Sequence, residues 1–164
     1  MLKVYNELNV QVACLGNHDL DFGVAKMVSL TSRTAPCEWL MSNFNVDGKP
    51  IGGLAPYTIK SVPLTYSAAS EEKKAIKIGF FGLAGPDWHA TMSYEVTETV
   101  EYVDFVETGR EMAAMLKAAP HNCELVVALT HMRVPEDRTL AEKVPDIDIS
   151  LGGHDHLYLT EVCP

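Results

Sequence analysis

Six side chains able to hold a divalent ion or move a proton fall into three short groups: Asn17, His18 and Asp21, then His131, then His154 and His156. Imidazole nitrogen suits Zn, Mn, Fe or Co, and the amide oxygen of Asn17 is a reasonable neutral ligand for a divalent ion. His18 and Asp21 lie three residues apart. A carboxylate accepting from one ring nitrogen fixes the tautomer and raises the basicity of the other, which makes the two an acid–base pair. Each group also has a plainer reading. Gly16-Asn17 is a common turn, Asp21 could cap the next helix, His131 could be a satisfied core histidine, and His154-Asp155-His156 could be a polar surface turn. Gly152 and Gly153 would let the backbone turn tightly enough for two imidazoles to approach ions from one loop. Arg133, two residues beyond His131, could reach an anion or stand solvated.

What joins these groups is where the elements place them. A short helix is expected over Leu2 to Leu8 and a buried strand over Val10 to Leu15, which delivers Asn17, His18 and Asp21 at its exit. Apolar residues Val24, Met27, Val28 and Leu30 recur at helical spacing, and after the break at Ala35-Pro36 a short strand is expected near Trp39 to Met41. Residues 43 to 75, rich in Asn, Gly, Pro and Ser, read as loops around an edge strand at Tyr57 to Val62 and are not expected to carry chemistry. A strand at Ile76 to Leu83, a loop at Gly85-Pro86 and a helix from about Val103 or Asp104 to Ala119 follow. Leu125 to Thr130 is an apolar run of strand length ending at His131, a short helix spans Pro135 to Lys143, and Ile147 to Leu151 delivers Gly152 to His156. The pattern is α/β, with three strands ending in chemically capable side chains, where open α/β sheets bind ligands.

Composition narrows the partners. The 164 residues, 47% hydrophobic and 21% charged, suit one globular domain. Thirteen basic against 22 acidic side chains give a net charge of −9, which disfavours nucleic acid and anionic membrane as partners. A phosphorylated ligand would be repelled too unless cations reversed the field locally, and the arginines are few and scattered, which favours metal. No membrane span and no secretion-signal pattern are read in the chain. Cys14, Cys37, Cys123 and Cys163 form no CxxC pair, so buried thiols are expected. That leans toward a reducing, cytoplasmic compartment and leaves the localisation of the complete protein open.

Taken as an ordered set, GNHDLDFG (Gly16 to Gly23), LTHMR (Leu129 to Arg133) and GGHDH (Gly152 to His156) resemble the later motifs of calcineurin-like metallophosphoesterases, nearest the 5′-nucleotidase branch. That branch usually reads GNHEFDxG in the first motif, so Asp19 and Leu20 are mild departures while Asp21 is kept. The resemblance implies that Asn17, His131 and His154 bind one metal and His156 the other, with His18 the catalytic histidine oriented by Asp21. Asn17, His18 and Arg133 would meet the substrate phosphate. It also implies a four-layer α/β/β/α sandwich of mixed sheets flanked by helices, of which this chain would supply the later part. The family's earlier motifs, an Asp-x-His pair and a Gly-Asp pair whose aspartate bridges both metals, normally lie upstream of the first helix and are absent there. Residues 1–164 are therefore expected to form one partial domain, holding one ion or none, where the complete protein would hold two divalent ions (Mn, Zn, Fe, Co or Mg). The implied substrate is a phosphomonoester such as a nucleoside monophosphate. The alternatives are a cyclic-nucleotide or nucleotide-sugar phosphodiesterase, or an inactive fragment acting through binding or oligomerisation. Exposed sheet edges would favour self-association.

Overall fold

The chain is seen in a computed structural model that describes residues 2–64, 75–88 and 100–163. Helix α1 (Leu2–Leu8) leads into β1 (Val12–Cys14), a 3-10 turn (Asn17–Leu20), α2 (Val24–Thr31) and β2 (Glu38–Leu40). Strands β3 (Phe44–Val46), β4 (Lys49–Pro50), β5 (Tyr57–Pro63), β6 (Ala75–Ala84) and β7 (Glu101–Tyr102) follow. The last elements are α3 (Phe105–Lys117), β8 (Leu125–His131), α4 (Val134–Lys143) and β9 (Ile149–Gly152).

The main sheet has the order β5-β6-β8-β9, with β5 antiparallel to β6 and the other pairs parallel. Parallel pairing sets the three strand ends side by side, so that His131 lies opposite Ala84 and Thr130 opposite Gly152. Helices α3 and α4 cover one face. Phe81, Leu83, Val126 and Ala128 from the sheet pack with Ala113, Leu116 and Leu140 from the helices, all of them buried. The start of α3 is secured by Asp104, whose carboxylate accepts from the backbone N–H groups of Val106 and Glu107 at 2.9 and 3.0 Å. A cap of this kind contributes about 1 kcal/mol.

The other face of the main sheet meets a second core of Leu15, Met41, Phe44, Ala84 and Trp88, closed on its far side by Met27 of α2. Tyr5 of α1 stacks on Trp39 of β2 with ring centroids 5.3 Å apart. Strands β1 and β2 pair in parallel within this layer. Two side chains stitch it to β6: the buried Asn43 exchanges hydrogen bonds with the N–H and C=O of Ala84, both 2.9 Å, and the Ser42 hydroxyl accepts from Gly82 N–H at 3.2 Å. Gly82 is required there, because a Cβ would lie 2.7 Å from the Leu40 carbonyl oxygen. Mixed sheets flanked by helices, as expected, are what the chain forms.

Three local expectations change. Strand β1 covers three residues rather than the run from Val10 to Leu15. Residues 43 to 75, expected as loops around one edge strand, also contribute β3 and β4, which join β7 in a small antiparallel sheet. The reason is turn chemistry: Asp47 and Gly48 both take positive φ, 50° and 71°, between the paired residues Val46 and Lys49. An Asp-Gly pair suits that two-residue hairpin. The thiols differ as well, since all four cysteines are free but only Cys123 is fully buried, Cys14 and Cys37 being half-buried and Cys163 exposed. Among the described residues no helix is long and apolar enough to cross a membrane.

Asp137 of α4 ties three elements together at the base of the strand ends. It accepts from the buried Thr130 hydroxyl at 2.6 Å and lies over Gly152, where a Cβ would meet its Oδ2 at 2.6 Å. Burial, only partly opposed by the Thr130 hydrogen bond, pushes its carboxyl up to about 6. The folded state therefore favours the protonated acid, so this contribution to stability is complete below the ordinary carboxylate range and lost as pH rises through about 6. Asp137→Asn keeps the acceptor for Thr130 without the buried charge. The variant should melt above the parent at about pH 8, and the gap should close toward about pH 4 in thermal unfolding followed by circular dichroism. A gap independent of pH would mean that Asp137 does not titrate in the fold.

Candidate metal centre

Strands β1, β8 and β9 deliver the six predicted residues to one end of the molecule, and the structure draws three of them together. His131 Nε2 lies 2.9 Å from Asn17 Oδ1 and 3.1 Å from His154 Nδ1. The rings of His131 and His154 meet edge to face with centroids 4.9 Å apart. Asn17 is itself buried, in the 3-10 turn that follows β1. That turn is pinned by Asp19, whose carboxylate accepts from Gly16 N–H at 2.8 Å in the manner of half a capping box.

His131 is held from every side. Its carbonyl oxygen accepts from Gly85 N–H at 3.2 Å and from the Trp88 indole N–H at 3.0 Å, and the buried Trp88 ring also packs edge-on against the imidazole. The imidazole is sandwiched between two glycines. A Cβ on Gly16 would meet the ring at 3.0 Å and one on Gly153 at 3.3 Å. Burial, reinforced by the neighbouring His154 and His18, pushes the His131 imidazole down to about 4, so it is neutral with a lone pair to offer at physiological pH.

His18 and Asp21 are paired, with Nδ1 3.0 Å from Oδ2. They stand one residue beyond the buried cluster, in solvent, with the His18 side chain 83% exposed. His156 is not drawn in: it is exposed, and among the described residues it makes no hydrogen bond or ion pair. Both His154 and His156 take positive φ, 81° and 54°. Arg133 is half exposed and bridges two carboxylates, its Nε donating to Asp87 Oδ2 at 3.0 Å and its Nη1 to Asp155 Oδ1 at 3.1 Å.

Asp87 and Trp88 escaped the sequence reading. They follow β6, a fourth strand exit, where Gly85-Pro86 marked only a loop; the signal available was an acidic and an aromatic residue directly after an apolar strand. Asp87 Oδ2 lies 3.4 Å from His154 Nε2, a nitrogen that is buried without a hydrogen-bond partner.

The donor set fits a divalent ion. With Asn17 Oδ1 and His154 Nδ1 both facing His131 Nε2, one proton at most serves two acceptors, an arrangement that a cation satisfies and a single N–H does not. The separations of 2.9 and 3.1 Å put the three atoms close enough to share one ion. The third donor is an amide. Among the described residues no three His, Cys, Asp or Glu side chains converge as a cage.

The family model for calcineurin-like phosphoesterase matches residues 1–158. Protein 5NUC of Lutzomyia longipalpis is 30% identical over 96% of this chain, and the snake venom 5′-nucleotidase of Crotalus adamanteus 27% over 97%. Each alignment takes in 25% of the relative, so the chain spans about a quarter of the length of these curated proteins. Among solved structures, the calcineurin-like phosphoesterase YfkN of Bacillus subtilis superposes with a TM-score of 0.82 at 22% identity, over 98% of this chain and 49% of that one. The family match over nearly the whole chain, with relatives named 5′-nucleotidase, shows that the chain belongs to the calcineurin-like phosphoesterase family, in its 5′-nucleotidase-like part.

Proposed function

We propose that this chain is the later part of a metallophosphoesterase domain of 5′-nucleotidase type, and that Asn17, His131 and His154 hold one divalent ion of a pair. The observation that carries this reading is the meeting of Asn17 Oδ1, His131 Nε2 and His154 Nδ1 within 2.9 and 3.1 Å from three separate strand ends. His156, exposed beside them, would serve the second ion together with the family's earlier motifs, outside these 164 residues. Bound divalent ions supply Lewis acidity toward phosphoryl oxygens and lower the pKa of a water. Mn, Zn, Fe, Co and Mg all remain chemically compatible with such a donor set.

The chain's own residues would do the rest. Asp21 accepts from His18 Nδ1 and so directs the second ring nitrogen, Nε2, toward solvent-borne substrate; it also stabilises the imidazolium that protonates a leaving alkoxide. Asn17, on the same turn, sets His18 one residue away from the ion. Arg133 would approach the phosphate only by sharing its guanidinium with Asp87 and Asp155. The substrate proposed is a phosphomonoester such as a nucleoside monophosphate, supported by the activity named for the Crotalus relative. Turnover of cyclic or sugar-linked nucleotides in preference to monoesters would favour the phosphodiesterase alternative.

Self-association belongs to the same proposal. Among the described residues β1 pairs only with β2 and β9 only with β8, and β9 exposes Ile149 and Leu151. Such edges template pairing with another chain. Elution as a monomer at every concentration in size-exclusion chromatography would count against it.

Two further outcomes are expected. Plasma mass spectrometry on the chain soaked in manganese or zinc should find about one ion per chain, lost on His131→Ala and weakened on Gly16→Ala, whose methyl group displaces the His131 ring. No ion, or retention of the ion in both variants, would remove the assigned centre and leave an inactive fragment as the better reading. In the protein with its complete domain, His18→Ala should lower kcat by about 10²- to 10⁴-fold with folding unchanged. Unchanged phosphatase turnover would refute the role given to His18.

A further inference from the structure

We propose that Asp87 is a positioning residue: its carboxylate takes the proton of His154 Nε2 in a hydrogen bond and thereby turns the Nδ1 lone pair toward His131 and Asn17. This rests on the metal-site reading above and names the residue that orients one of its ligands.

The geometry points one way. His154 has two nitrogens in different surroundings: Nδ1 is 3.1 Å from His131 Nε2, and Nε2 is buried, unpartnered and 3.4 Å from Asp87 Oδ2. Only 13% of the His154 side chain is exposed, so water is not a ready substitute. A neutral imidazole carries one proton. Placed on Nε2, it faces a carboxylate and frees Nδ1 as a ligand; placed on Nδ1, it points into the cluster of acceptors and leaves a bare lone pair facing an anion.

Asp87 is braced for this task. Its Oδ2 accepts from Arg133 Nε at 3.0 Å, and Arg133 Nη1 donates to Asp155 Oδ1 at 3.1 Å. Asp155 Oδ2 accepts from Val134 N–H at 2.9 Å, and its own N–H donates to Gly153 O at 3.1 Å. The frame thus runs from the exit of β6 through the start of α4 to the loop carrying His154. Oδ2, the oxygen nearest the ring, has a second lone pair left after accepting from Arg133 Nε. At 3.4 Å the carboxylate is within reach of Nε2 but not in line with its N–H, so a small turn of the ring or of the carboxylate completes the hydrogen bond. Outer carboxylates that fix a metal-bound histidine in this manner change metal affinity by about 10- to 100-fold when removed.

The test is made on the full chain with ¹⁵N-labelled histidine, first stripped of metal. Long-range ¹H–¹⁵N spectra, with His154→Gln to assign the ring, should show His154 as the Nε2–H tautomer. Asp87→Asn should abolish that preference, and Asp87→Glu should recover it in part. In cobalt titrations followed by visible absorption, Asp87→Asn should raise the concentration for half-saturation by about 10- to 100-fold. A wild-type His154 carrying its proton on Nδ1 would overturn the proposal, as would an Asp87→Asn chain with unchanged tautomer and unchanged cobalt affinity. The tautomer is read without metal, so it decides the role of Asp87 by itself. Failure of the parent chain to bind cobalt would count against the metal site alone.

Discussion

The close approach of two sheets at Gly82 is the constraint on which the rest of the architecture depends. With no side chain at that position, the backbone of β2 lies directly over β6, near enough that a single Cβ would strike the Leu40 carbonyl. Asn43 and Ser42 then lock the layers through hydrogen bonds to Ala84 and Gly82. Because β1 pairs with β2, this separation also decides how far Asn17 stands from the end of β8. A bulkier residue at the contact would move one wall of the cluster relative to the other, and donors set within about 3 Å of one another tolerate little of that.

The second theme is how an acidic protein arranges a site for cations and phosphate. The net charge of −9 repels anions at long range, so attraction has to be local. The inner group is two imidazoles and an amide, with His131 held neutral by burial and by its neighbours. Carboxylates stand outside it, Asp87 and Asp155 gripping Arg133 and Asp21 gripping His18. Imidazole and amide donors within and carboxylates around them leave room for a divalent ion without carboxylates at its first contacts.

Much of this was legible beforehand. The helix at Leu2 to Leu8, the strands ending at His131 and near Gly152, and the helix stopped before Pro120 follow from apolar periodicity and breakers, signals that are local in sequence. The Asp47-Gly48 hairpin was present in the sequence too, but a short strand on either side of it is too brief to stand out from loop composition. Asp87 and Trp88 were illegible for a different reason. Neither has a motif, and each acquires meaning only through a residue more than 40 positions away, Trp88 through the His131 carbonyl and Asp87 through Arg133.

By itself, then, the sequence determined which residues could do chemistry and that each group would sit at a strand exit, because residue type and apolar runs are properties of contiguous chain. Tertiary structure alone decided which of them meet. Asn17, His131 and His154 converge since β1, β8 and β9 end at one level, while His18 and Asp21 stay in solvent and His156 stands apart, outcomes of sheet spacing and loop conformation that no local pattern encodes. The glycines show the same division: their identity is written in the chain, but that Gly16 and Gly153 leave space for one imidazole depends on three strands packing together.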